Sequence, residues 1–118
     1  MSSYPYKGQK GSCMTSAGAY KLAGSLTTSN GCDDIKSALY TSPLTVAVNA
    51  LDWMTYRSGI FNGCTSTEVN HDIFLAGATL TYWRLKNSWG NRWGEYGYIR
   101  LNVGNTCGIC EKPAFGFK

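Results

Sequence analysis

Apolar and polar positions along this chain fall into short blocks, and only one block has helical spacing. In CDDIKSALY (32–40), Ile35, Ala38 and Leu39 share one face, and Asp33 and Asp34 sit where carboxylates favour a helix N-terminus. Pro43 marks the end of that helix. The β-branched run LTVAVNAL (44–51) then predicts a buried strand. Further strands are predicted at VNHDIFLAG (69–77), TYWRLKN (81–87) and YGYIRLNV (96–103), and AYKLAGSLTTS (19–29) is strand in part. Residues 1–16, the turn-rich YRSGIFNGC (56–64) and the tail read as loop. The pattern implies a mainly β domain, an antiparallel barrel-like sheet with one short helix.

Composition narrows the function classes. The 118 residues suffice for one domain that buries about two-thirds of its unfolded surface, and no repeat or linker divides them. No apolar run approaches the roughly 18 residues of a membrane helix, so no membrane partner is expected. The N-terminal MSSYPYKGQKGS has no apolar core and is not read as a signal peptide. The net charge is +4, but the 11 Lys and Arg are scattered singly, which argues against a nucleic-acid partner. Five cysteines (13, 32, 64, 107 and 110) point to an oxidising compartment, and their odd number leaves at least one without a partner in the chain.

His71 is the only histidine, and a lone histidine is more often structural than catalytic. Its surroundings change that reading. Sixteen positions later, Asn87 opens NSWGNRWGEYGYIRL. This block resembles the Asn-Ser-Trp-Gly…Trp-Gly segment of papain-like cysteine proteases, VNH resembles their catalytic-histidine motif, and YRSGIF resembles the loop ahead of it. The resemblance runs from Tyr4 to the end of the chain. It implies the right-hand, barrel-like half of a two-domain α+β enzyme, with residues 1–118 as the C-terminal half and the nucleophile-bearing N-terminal half absent.

The chemistry explains why these residue types are needed. A cysteine attacks a peptide carbonyl as the thiolate, and a nearby imidazolium both lowers the thiol pKa and later protonates the leaving amine. By resemblance His71 is that imidazole, Asn87 accepts its N–H and holds its orientation, and Trp89 shields their hydrogen bond from water. The resemblance calls for no metal or cofactor. It implies a peptide or protein substrate, the missing left-hand domain and cystatin-like inhibitors as partners, and a lysosomal, vacuolar or secreted location.

GQKGSCM (8–14) invites a reading of Cys13 as the nucleophile, and that reading fails. The family nucleophile lies in Cys-Gly-Ser-Cys-Trp some 130–150 residues before the asparagine and histidine. Cys13 precedes His71 by only 58, with Met14 where tryptophan is expected. YPYKGQKGSC better resembles the segment whose cysteine pairs with the left-hand half, which leaves Cys13 without its partner. The resemblance also pairs Cys64 with Cys107, closing a loop of 43 residues, and leaves Cys32 and Cys110 open.

It further implies a substrate pocket beside the histidine, formed by Val46, Ala47, Val69, Asn70, Asp72 and Lys112. Asp72 stands where a small residue is usual and Lys112 at the pocket base. The two give either a polar pocket tuned to charged substrates or an ion pair without effect on specificity. AGATLTY lacks the usual Gly-Tyr-Gly, and Phe115-Gly116 replaces Tyr-Pro, so a diverged or truncated copy is expected. The expected function is therefore cysteine-type proteolysis, with this chain supplying His71 and Asn87 and being inactive alone. The alternative is a non-catalytic remnant that binds peptides or proteins. A Gln…Cys-Gly-Ser-Cys-Trp reading frame upstream of Met1 would decide for the enzyme.

Overall fold

The computed structural model describes residues 4–14 and 18–117. Of the loop expected over 1–16, residues 1–3, 15 and 16 lie outside that description, and the rest has no helix or strand. The one α-helix among the described residues, α1 (Cys32–Leu39), starts after Gly31 and carries Asp33 and Asp34 in its first turn. It buries Ile35 completely and packs Ala38 and Leu39 beside it, as the helical spacing implies.

Among the described residues seven strands make one open sheet: β1 (Ser25–Thr27), β2 (Leu44–Val48), β3 (Ile60–Phe61), β4 (His71–Ala78), β5 (Tyr82–Lys86), β6 (Tyr98–Asn102) and β7 (Phe115–Phe117). Their order is β1-β7-β2-β4-β5-β6-β3, and the sheet does not close on itself. Its pairs are antiparallel except β3 with β6, which run parallel. The two-residue β3 lies inside the stretch that sequence reads as turn.

The sheet is buried on one face only. In β2, Leu44, Val46 and Val48 are buried while Thr45 and Ala47 are half-buried, so the run expected to be wholly buried is an alternating one. Ile73 and Leu75 of β4, Trp83 and Leu85 of β5, and Ile99 and Leu101 of β6 complete this core layer. The outer face carries Thr45, Ala47, Asp72, Phe74, Arg84 and Lys86, none of them buried.

The tail is not a loop. A short 3-10 turn (Thr106–Gly108) leads back to β7, which inserts between β1 and β2. Gly116 permits this insertion, because a Cβ there would press into Ser42, Leu44 and Leu26. Two disulfides lock the return path: Cys32–Cys110 ties the start of α1 to the tail, and Cys64–Cys107 ties the loop before β4 to it. Beside the first, the Gly31 N–H donates to the Cys110 carbonyl at 3.2 Å.

Candidate active site

Strand register brings the sequence-marked residues together. β4 and β5 pair antiparallel with Phe74 opposite Lys86. One residue further, Asn87 stands opposite Ile73 and diagonal to His71, and side chains two apart share a face. His71 Nε2 lies 2.9 Å from Asn87 Oδ1. The Ser88 N–H also donates to Oδ1, at 2.8 Å.

This second donor settles the chemistry of the pair. A backbone N–H needs an acceptor, so the amide oxygen, not the nitrogen, faces Ser88 and His71. An amide oxygen cannot donate, so the proton of this bond sits on His71 Nε2. His71 Nδ1 makes no hydrogen bond among the described residues and is left for another group. Asn87 is only 7% exposed, its N–H donates to the Gly97 carbonyl at 2.9 Å, and its buried Nδ2 has no partner among the described residues.

An aromatic cluster surrounds the pair. The Trp89 ring lies 5.4 Å from the His71 ring, tilted by 35°, and is 41% exposed. Trp53, fully buried, presents its edge to His71 at 6.3 Å and stacks on Trp93 at 6.2 Å. The Trp93 indole N–H donates to the Trp53 carbonyl at 3.0 Å. Sequence reading did not mark Trp53. Its signal was a tryptophan in the polar turn directly after β2, where nothing in the local pattern asks for one.

The loop before His71 is pinned from below. Asn49 is buried, and its amide donates to the Glu68 carbonyl at 2.6 Å while its oxygen accepts the Leu51 N–H at 3.1 Å. The Asn49 N–H donates to the Cys107 carbonyl at 2.7 Å. Asp52 accepts both the N–H and the hydroxyl of Thr65 at 2.9 Å, which lowers its pKa from the ordinary carboxylate value.

The six expected pocket residues lie on β2, on β4 and the loop before it, and on the tail. Val46 is 2% exposed and belongs to the core, because it lies on the buried face of β2. Asn70 uses its side-chain oxygen to accept the Ala50 N–H at 3.0 Å, and its backbone N–H bonds Val48. Asp72 is one residue from His71 and turns to the other side of the strand, and with Thr45, Phe74, Lys86, Asn87 and Ser88 it lines a cavity of about 340 Å³. Ala47 is its cross-strand partner. Val69 and Lys112 line another cavity, of about 500 Å³, with Ser66, Thr67, Glu68 and Glu111. Asp72 and Lys112 form no ion pair; the one among the described residues joins Arg100 to Glu95.

Cys13 is unpaired and exposed on the N-terminal segment, where the Met14 N–H donates to the Tyr4 hydroxyl at 3.3 Å.

The bond thus joins an imidazole and an amide at neighbouring strands, with indoles packed around it. The chain belongs to the papain family of cysteine proteases, whose family model matches residues 1–117. It is 41% identical over 114 residues to cathepsin L 2 of Paramecium tetraurelia, covering 95% of this chain and 36% of that protein. It is 37% identical over 134 residues to vignain of Phaseolus vulgaris, covering 99% of this chain and 37% of that protein. The chain thus spans little more than a third of such relatives. Among solved structures, the Carica candamarcensis cysteine protease CMS1MS2 superposes with a TM-score of 0.85 at 29% identity, covering 99% of this chain and 60% of that one. Bromelain from Ananas comosus gives 0.79 at 34% identity, covering 98% and 60%.

Proposed function

We propose that this chain is the imidazole-bearing, C-terminal half of a papain-type cysteine peptidase, and that a second half brings the nucleophilic thiol. The observation that carries the reading is the His71 Nε2–Asn87 Oδ1 bond of 2.9 Å, which leaves Nδ1 free. Nδ1 exchanges a proton with the thiol, giving a thiolate beside an imidazolium. The thiolate sulfur attacks the peptide carbonyl carbon, and the imidazolium passes its Nδ1 proton to the leaving amine as the C–N bond breaks. The neutral imidazole then takes a proton from water, which cleaves the thioester and restores the thiol. Asn87 is the positioning residue, and Trp89 limits water at its oxygen.

Cys13 has no part in this scheme. The substrates are peptides or proteins, and cystatin-like inhibitors would cover the same cleft. Two disulfides support a lysosomal, vacuolar or secreted location.

A fluorogenic peptide assay tests the reading, with a thiol-reactive epoxide as control. The chain alone should be inactive, and mixing or co-expressing it with the nucleophile half of a related cathepsin L should give epoxide-sensitive turnover. Turnover by the chain alone that Cys13→Ala abolishes would contradict it.

A further inference from the structure

Beyond Trp89, away from the His71–Asn87 bond, the structure holds a small cavity whose charged groups are all of one sign. It measures about 240 Å³, with Arg57 and Arg92 at its rim, Thr55 beside them, and Met54, Tyr56 and Trp93 as walls. No carboxylate lines it, and neither arginine has an acidic partner among the described residues.

The carboxylates nearest to the arginines in sequence are engaged elsewhere, and Asp52 accepts the N–H and the hydroxyl of Thr65. Both oxygens of Glu95 are engaged by Arg100, at 2.7 and 2.8 Å, and one also accepts the Gly59 N–H at 3.3 Å. The walls are fixed in turn. Trp93 is held by its bond to the Trp53 carbonyl, and the Tyr56 hydroxyl donates to the Gly59 carbonyl at 2.6 Å. No carboxylate offsets the two guanidinium groups there, and an anion in the cavity would gain charge-assisted hydrogen bonds from them.

We propose that the Arg57–Arg92 cavity is an anion subsite that takes a carboxylate of a bound peptide. Its position points to the occupant. Ring centroids step 5.4 Å from His71 to Trp89 and 5.1 Å from Trp89 to Trp93, so one continuous aromatic surface joins the imidazole to the cavity. A peptide whose amine side leaves past His71 and runs over Trp89 brings its next residues to the arginines. That choice of occupant rests on the reading of the chain as half a peptidase; the anion site stands on the cavity itself. The carboxylate comes from an acidic side chain or from the C-terminus of a short peptide, both of which present the same planar pair of oxygens.

The test is a binding titration on the 118-residue chain, independent of catalysis, that follows the Arg Nε–H and indole N–H signals by NMR. The probes are acetyl-Gly-Glu-Gly-amide, acetyl-Gly-Gly-Gly with a free carboxylate, acetyl-Gly-Gln-Gly-amide and inorganic sulfate. One or both acidic peptides should shift the Arg57, Arg92 and Trp93 signals, and which one does so identifies the carboxylate source. The glutamine peptide should not. Arg57→Gln and Arg92→Gln should each weaken acidic-peptide binding about three- to tenfold, and added salt should weaken it further. Arg84→Gln, on a different strand, should leave it unchanged. Equal binding of the Glu and Gln peptides, an equal loss in Arg84→Gln, binding of sulfate alone, or no shift with any peptide would overturn the proposal. Failure here with a working peptidase assay would leave the catalytic reading standing.

Discussion

The amide oxygen of Asn87 accepts from two donors, and that makes it a fixed reference for the imidazole. Asn87→Ala removes the reference without touching Nδ1. In the assembled peptidase it should lower kcat about 10–100-fold with KM little changed, as read from steady-state kinetics. A pure loss of substrate affinity would instead make Asn87 a binding residue. Glu95 is the other residue with a defined role. The Arg100 guanidinium holds its pKa at about 2, well below the ordinary 4.5. A carboxylate depressed in the folded state stabilises fully above its unfolded pKa, and that stabilisation is lost as pH falls through the folded value. Glu95→Gln should therefore melt a few degrees lower at neutral pH, and the gap should close between about pH 4.5 and pH 2. Thermal unfolding across that range checks it; a gap that stays constant would mean the Arg100 contact does not stabilise the fold.

At the scale of elements, the tail holds the loop that precedes His71. Gly108 is where they touch: its φ is +72°, and a Cβ there would run into the Thr67 carbonyl. Gly104→Ala, at φ +94° in open space, should cost about 1–3 kcal/mol of backbone strain in urea melts, and Gly108→Ala should cost more, because it adds the clash with the Thr67 carbonyl. Removing the Cys64–Cys107 bond by a double alanine substitution should cost about 2–4 kcal/mol. These elements also show what the sequence made legible. The alternation in HDIFLAGA and YWRLK names two half-buried strands, and Asn-Ser-Trp-Gly marks the turn after the second. β7 was not legible, since FGF is three residues long and its partners lie far back in the chain. β3 failed for the same reason, and Cys32–Cys110 depends on where that tail returns. Pocket membership was legible only as a resemblance: Asp72 and His71 are neighbours in sequence, and the strand pleat turns them to opposite sides.

For the whole molecule, the outer sheet face is the open question of stability. Phe74, Phe115 and Phe117 are each about half exposed there. Apolar area of this kind favours association, so sedimentation of the isolated chain should show a mass that rises with concentration. A monomer at all concentrations would contradict that. The central claim is that His71 serves as the partner of a thiol from the second half. The pH dependence of iodoacetamide alkylation in the assembled enzyme tests it directly. With His71 present, the nucleophile should alkylate with an apparent pKa far below the free-thiol value of about 8.5, and His71→Ala should return it there. A profile that His71→Ala leaves unchanged would contradict the claim.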